Sequence, residues 1–279
     1  PQDKVDVILT AAREAGAAER RADPTGFEYQ DKRTRRVLAN TKGVLLQEYG
    51  TSFGVMGGVA APHVDLCLVG GLQGRTFAAV SSMPFGVLLA NRLTQLLEAE
   101  IAVDGPVRTF MPPRVSAHIF GFLAPYFTEA GLKSGKTFLS RGLGKEGFFD
   151  HRILMVDDGT SVGGLRTRSF DDRGAAPVPL TLIREGVIDR CFLSAASARA
   201  QDTRATGHAL GKYYTPTNLQ IRGGTRSLNA LMAEMDEAVF RIDHLRDFEK
   251  GFNLKTGDFK CLCSGQMMRK GTSLGTVRN

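Results

Sequence analysis

Asp157-Asp158-Gly159-Thr160, Phe170-Asp171-Asp172-Arg173-Gly174, Leu180-Thr181-Leu182-Ile183-Arg184-Glu185-Gly186-Val187-Ile188, Thr215-Pro216-Thr217-Asn218-Leu219 and Asn253-Leu254-Lys255-Thr256-Gly257-Asp258-Phe259 follow one another through the later half of the chain. Just ahead of them, Ile153-Leu154-Met155-Val156 is a short apolar run. Asp157-Asp158-Gly159 halts it, because acidic residues and glycine at a strand end favour a turn. Residues 180–188 read as a hairpin with Gly186 at the turn. Residues 253–259 read as a further strand–turn–strand unit, and short helices are expected near 194–201 and 227–235. Strands and helices do not alternate in a βαβ rhythm, so an α+β fold is expected, rich in antiparallel or mixed sheet with flanking helices.

Working outward, residues 3–22 place Val5, Ile8, Leu9, Ala12 and Ala15 at helical spacing, with Asp3 and Asp6 in the first turn, where negative charge suits the helix dipole. Residues 26–72 change to short apolar segments broken by glycine and polar turns, as in Val37-Leu38-Ala39-Asn40, Gly43-Val44-Leu45-Leu46 and Phe53-Gly54-Val55-Met56, and predict an antiparallel meander. A second helix is predicted over 84–103. Pro84 opens it, and Val87, Leu88, Leu93, Leu96 and Leu97 form its apolar face. A third follows Pro112-Pro113 and carries Val115, His118, Ile119, Phe122 and Leu123. Two regions result: a helix-plus-meander region over 1–110 and a strand-rich domain over 111–279.

Composition narrows the function classes. A chain of 279 residues with 42% hydrophobic and 23% charged residues has enough apolar material for a sizeable core. It contains no apolar run of the ~18 residues that a membrane helix needs, and its polar, acidic start does not read as a secretory signal. Four cysteines do not make a disulfide framework in a chain this long. Cys67 and Cys191 lie in apolar runs and are expected to be buried thiols, which fits a cytoplasmic address. The net charge of +7 gathers at Arg20-Arg21 and Lys32-Arg33-Thr34-Arg35-Arg36. No aromatic platform is interleaved with these clusters, so they read as solvated surface and no nucleic-acid partner is expected.

In order and spacing, the quoted pieces resemble the C-terminal domain of the TldD/PmbA metallopeptidase family, and within it the TldE (PmbA) branch. Gly121-Phe122-Leu123-Ala124-Pro125 and Gly135-Lys136-Thr137-Phe138-Leu139 extend the resemblance upstream. The resemblance implies a two-subunit metallopeptidase that cleaves peptide or amide bonds, with zinc held by the TldD-like subunit on a helix bearing a His-Glu pair and a second His about one turn on, plus a distant cysteine. The matching helix here reads Ser116-Ala117-His118-Ile119-Phe120-Gly121-Phe122-Leu123. Only His118 remains. Ile119 stands at the carboxylate position, and Phe122 and Leu123 stand where a second histidine would project. No catalytic residue and no metal ligand are therefore expected in this chain. If there is any metal site, it would use His118 with Cys261 or Cys263, although cysteines one residue apart in an extended segment point to opposite faces.

The resemblance implies structural or interface roles for Asp157, Asp158, Phe170, Asp171, Asp172, Gly174, Asn218, Gly257, Asp258 and Phe259. It also implies that the chain starts after a small N-terminal α/β domain found in family members, that residues 261–279 match poorly, and that the chain stops before the family's last strands. The implied role is a non-catalytic subunit that completes the chamber around a TldD-like partner's zinc. The alternatives are a self-sufficient metal-dependent amide hydrolase using His118 and a C-terminal cysteine, or a homodimeric non-catalytic scaffold. Other chemistry lacks its pattern. Ser116 and Ser264 have no nucleophile elbow, no Gly-Lys-Ser/Thr follows the glycines of 54–74, and His63, His151, His208 and His244 are scattered without motif spacing.

Overall fold

The computed structural model describes residues 2–98 and 100–277. Pro1, Ala99 (inside the expected second helix), Arg278 and Asn279 lie outside the described residues. The chain forms two compact units, Pro1–Val37 with Gln47–Glu100, and Leu38–Leu46 with Ile101–Asn279. The architecture is α+β, as the sequence predicts. Among the described residues no helix is long and apolar enough to cross a membrane.

In the first unit, helix α1 (Gln2–Ala18) precedes a meander of β1 (Asp23–Ala39), β2 (Leu45–Ala61) and β3 (Leu66–Gly74), followed by helices α2 (Ala78–Ser81) and α3 (Phe85–Leu96). Ala11 and Ala15 of α1, Val55 and Val59 of β2, and Leu89 and Leu93 of α3 form the core. The expected meander is present, but its short segments belong to two strands of 17 residues each. The middle of β1 is exposed on both faces, so its sequence lacks the alternation by which a half-buried strand is recognised. Cys67 corrects the sequence reading: it is exposed, because β3 alternates and Cys67, opposite Ala60, falls on the outward face. Cys191 is half-buried, and burial pushes its thiol up.

The second helix ends earlier than expected. Leu97 closes its last turn by donating to the carbonyls of Leu93 and Thr94. Ile101 then gives its N–H to the Thr276 carbonyl at 2.9 Å, so the chain beyond is committed to strand contacts and cannot continue the helix.

The end of α1 is tied to α3 through Glu19, whose side chain is only 10% exposed. Arg21 grips this carboxylate with two side-chain N–H donors at 2.8 and 2.7 Å and its backbone N–H at 3.0 Å, and the Thr94 hydroxyl donates at 2.9 Å. Arg21 above all holds the Glu19 carboxyl down to about 2. A carboxyl lowered in the folded state adds stability that is fully present above its unfolded pKa and is lost as pH falls through the folded one. Acid unfolding should therefore steepen as pH drops from about 4.5 towards 2, and Glu19→Gln should flatten that limb while lowering stability at neutral pH. Thermal melts between pH 2 and 7 check this; parallel curves for the two proteins would refute it.

The second unit contains β4 (Thr109–Phe110), α4 (Pro113–Leu123), α5 (Glu129–Lys133), β5 (Leu154–Asp157), β6 (Leu180–Arg184), β7 (Val187–Ile188), α6 (Ala195–Ala200), β8 (Ala209–Leu210), β9 (Tyr213–Tyr214), β10 (Leu219–Arg222), α7 (Leu228–Ala233), β11 (Val239–Arg246), α8 (Phe248–Gly251), β12 (Leu262–Arg269) and β13 (Thr272–Val277). One sheet runs β10-β5-β6-β7, all antiparallel, and another runs β13-β12-β11-β4, with β4 parallel to β11. The expected hairpin is β6–β7, with Glu185 and Gly186 both at positive φ in its turn. The two short helices are α6 and α7, each opened by a serine, Ser194 or Ser227, whose side chain accepts an N–H from the first turn.

Two expectations are corrected in this unit. Residues 253–259 form no strand pair. Asn253 accepts Lys255 and Thr256 N–H groups through its side chain and Gly257 N–H through its backbone, and Gly257 turns at φ +89. The result is a closed loop whose ends meet at the single bridge between Phe252 and Phe259. Residues 262–277 are not a poorly fitting tail but the paired strands β12 and β13. Their sequence disguises this, because the ladders are broken by irregularities at Ile242/His244 and Met267/Met268, and Gly265 lies against the Arg241 carbonyl, where a Cβ would come within 1.9 Å.

Candidate functional site

Helix α4 starts where proline tolerates it, with Pro113 in the first turn. One flank of the helix packs inward: Val115 and Leu123 are buried, and Ile119 contributes to two of the unit's cores. The other flank borders a cleft of about 870 Å³, lined by Ser116, Ala117, His118, Gly121 and Phe122 of the helix and, across from them, by Thr217, Leu219 and Ile221. Its walls are mostly apolar, and Arg166, Arg226 and the His118–Glu249 pair are its charged groups.

His118 is half-committed to structure. Its Nε2 lies 2.5 Å from Glu249 Oε1, and its ring meets Phe248 edge-on at 5.7 Å. The His118 bond, first among several contacts, holds the Glu249 carboxyl below the usual carboxylate range. Glu249 was missed in the sequence; it comes from α8, 131 positions away, and no local spacing announces it. Phe122 meets Phe248, Phe252 and Tyr126 edge-on at 5.5, 5.4 and 6.1 Å. The position of a second ligand is thus filled by an aromatic cluster.

Zinc in a hydrolytic site takes three protein ligands and keeps one position open. Helix α4 offers a single imidazole, and Ile119 and Phe122 stand where further ligands would be needed, so the residues present do not fit that group. Cys263 packs among the apolar residues around Val115 and Phe240, and burial raises the thiols of both Cys261 and Cys263. Among the described residues, no three His, Cys, Asp or Glu side chains gather so as to hold a metal ion.

Of the acidic motif residues, Asp157 supports the cleft's far wall through Thr217. Asp157 is fully buried; it accepts His208 Nε2–H at 2.7 Å, Thr217 N–H at 2.8 Å and the Thr217 hydroxyl at 2.5 Å. Asp158 accepts Thr160 N–H and Oγ1–H at 2.8 and 2.6 Å, and the Thr160 hydroxyl leads in lowering its pKa. Asn218 donates to the Asp158 carbonyl and to Thr167 Oγ1, and accepts the Arg166 N–H at 2.9 Å. Asp157, Asp158 and Asn218 are thereby brought together in one network. Asp171 caps its own turn through Arg173 and Ala175 and reaches Ala209, while Asp172 accepts Gly211 N–H. Phe170 is buried beside them, and Gly174, at φ +81, faces Leu38 with room for no more than a tight Cβ contact at 3.0 Å. Gly257, Asp258 and Phe259 lie apart from this network and close the loop behind α8, where Phe259 stacks on Phe252 at 6.0 Å.

A family model described as the PmbA/TldA metallopeptidase C-terminal domain matches residues 104–279. The chain belongs to the PmbA/TldD metallopeptidase family. The match runs through β12 and β13, the stretch expected to fit poorly. The metalloprotease PmbA of Escherichia coli O157:H7 is 25% identical over 157 residues, 56% of this chain and 33% of that protein. Among solved structures, a protein from Thermotoga maritima, proposed in its name to modulate DNA gyrase, superposes with a TM-score of 0.85 at 20% identity, covering 98% of this chain and 64% of that one. TldE from Thermococcus kodakarensis superposes with a TM-score of 0.76 at 17% identity, covering 99% and 64%. At these identities the structures establish a shared PmbA/TldD fold. The chain spans less than two thirds of either solved relative.

Proposed function

We propose that this chain is the TldE-like, non-catalytic subunit of a heterodimeric zinc metallopeptidase of the TldD/TldE type. In this reading zinc sits in the TldD-like partner, and this chain completes the chamber that admits peptide or amide substrates. The observation that carries it is helix α4: the segment that resembles the family's metal-binding helix presents His118 bonded to Glu249, apolar Ile119, and Phe122 locked among Phe248, Phe252 and Tyr126. None of these apolar groups can bind a metal or take a proton from water. Four free cysteines fit a reducing, cytoplasmic compartment.

After dialysis against a mild chelator, the isolated chain is expected to hold no stoichiometric zinc and to show no peptidase activity. Mixed with a TldD-like subunit it should form a heterodimer, and His118→Gln should leave the activity of that complex nearly unchanged. About one zinc per chain, lost on His118→Ala, would overturn the reading. So would a fall of about a hundredfold in the His118→Gln complex with assembly intact, since that is the scale of losing a metal-dependent step.

A further inference from the structure

A second cavity, of about 860 Å³, opens in the second unit and shares no lining residue with the cleft beside α4. Its volume falls within the ~300–1,000 Å³ of small-molecule pockets. Four segments build it: α5, the approach to β6 at 178–180, residues 189–193 after β7, and residues 201–206 after α6. Buried Leu132 and Leu180, with Val178, Leu193 and half-buried Cys191, supply its apolar floor. Burial pushes the Cys191 thiol up, so this side chain is uncharged at neutral pH and belongs with the apolar part.

Hydrogen bonds join these segments to one another. Phe192 donates its N–H to the Phe127 carbonyl at 2.7 Å, and its own carbonyl accepts the Glu129 N–H at 3.4 Å, which ties 189–193 to the start of α5. The buried Thr206 is a second knot. Its hydroxyl accepts the Leu193 N–H at 3.0 Å, its N–H donates to the Leu193 carbonyl at 3.3 Å, and its carbonyl accepts the Val178 N–H at 3.3 Å. Gln201 Nε2–H reaches Glu129 Oε1 at 3.0 Å and links the end of α6 to α5. A cavity framed in this way is formed before a ligand arrives, so binding does not have to order its walls.

Charge around the cavity is unequally compensated. The Glu129 carboxylate accepts from Lys133 Nζ at 2.7 Å as well as from Gln201, and Asp189 is paired with Arg184 at 3.1 Å. Arg190, Arg204 and Asp202 also line the cavity, and among the described residues none of the three is in an ion pair. Two free guanidiniums against one free carboxylate leave an excess of positive charge beside an apolar floor.

We propose that this cavity binds a small organic anion, an apolar body carrying a carboxylate or phosphate, with Arg190 and Arg204 on the anionic group and the floor around Leu132, Leu180 and Cys191 on the body. A guanidinium is weakly hydrated, and its planar fork matches two oxygens of either group. Both arginines are exposed, so solvent screening limits what each ion pair adds, and the apolar floor supplies much of the affinity. A purely polar anion would leave that floor uncovered, and a neutral apolar ligand would leave the guanidiniums unpaired. The ligand class is therefore amphipathic.

The test is titration of the purified chain with 2-naphthoate, 1-naphthyl phosphate and neutral 2-naphthamide, read by ligand fluorescence and by methyl NMR spectra. At least one of the anions is expected to bind about tenfold more tightly than the amide, and the tighter of the two identifies the anionic group that is read. The double variant Arg190→Gln/Arg204→Gln should weaken anion binding about tenfold and leave the amide unchanged. Methyl signals of Leu132, Val178, Leu180 and Leu193 should shift on binding, while those of Leu219 and Ile221, in the cleft beside α4, should stay in place. Equal affinity for amide and anions, or anion binding unchanged in the double variant, overturns the anion assignment. Shifts confined to Leu219 and Ile221 overturn the site, and they do so on the wild-type chain, whatever the variant's folding. No saturable binding of either anion up to about 5 mM overturns both. None of these failures touches the subunit reading, which stands or falls on metal content and on activity with a partner.

Discussion

Asp157→Ala is expected to destabilise the second unit by about 3–5 kcal/mol, the scale of leaving several buried donors without their shared acceptor at about 1–3 kcal/mol each. The reason is the number of groups that share this carboxylate. His208 Nε2–H, Thr217 N–H and the Thr217 hydroxyl all end on it, and Asp157 and His208 have no solvent exposure. Alanine leaves these donors buried without an acceptor, and water cannot reach them without opening the fold. Asp157→Asn should cost less, about 1–2 kcal/mol, because its amide oxygen can still accept from Thr217. Its NH2 group then needs an acceptor where His208 now donates. His208 can supply one by moving its proton to Nδ1, a buried atom without a partner in the present arrangement. Urea midpoints should therefore rank wild type, Asp157→Asn, Asp157→Ala, and nitrogen chemical shifts should show the His208 tautomer change in the Asn variant alone. A loss below about 1 kcal/mol in Asp157→Ala would mean that the network is not what holds the wall. The wall matters because Thr217, which this carboxylate holds, lines the cleft.

Much of this was legible because it is local. Asp157-Asp158-Gly159 ends an apolar run, and the structure ends β5 at Asp157. Pro112-Pro113 opens α4, and the spacing of Val115, Ile119 and Leu123 gives its inward flank. What stayed hidden depends on residues far apart in sequence. His208 lacks any motif, yet it meets Asp157 across 51 positions and stacks on Phe192 at 4.4 Å. Glu249 reaches His118 across 131 positions, and a lone acidic residue in a short helix carries no signal of its partner. The place of β10 at the edge of its sheet is a property of strand order, which periodicity does not encode. The second helix stops short of residue 103 because the Ile101 N–H is claimed by the Thr276 carbonyl, a contact that local spacing does not announce.

Gly251 and Gly121 make the same point as a pair of opposite expected results. Gly251 ends α8, the helix that supplies Glu249 and Phe248 to the cleft side of the unit. A Cβ there would lie 1.8 Å from the Lys260 carbonyl oxygen, and Lys260 also donates its N–H to the Gly251 carbonyl at 3.1 Å. Gly251→Ala must push that backbone away by more than an adjustment of side chains allows. The Phe252–Phe259 closure then opens, and Glu249, two residues upstream, shifts relative to His118. The expected cost is about 3 kcal/mol, at the upper end for forcing extra volume into a packed site. Gly121 lies within α4, and a Cβ there meets nothing within 4 Å. Gly121→Ala should instead stabilise by about 0.5–1 kcal/mol, the ordinary helical gain. Denaturation midpoints check both signs, and the His118 imidazole shift should move in Gly251→Ala because its bond to Glu249 is loosened. Equal stability of Gly251→Ala and wild type would show that the segment carrying Lys260 yields freely, and that α8 is not held in place by this contact.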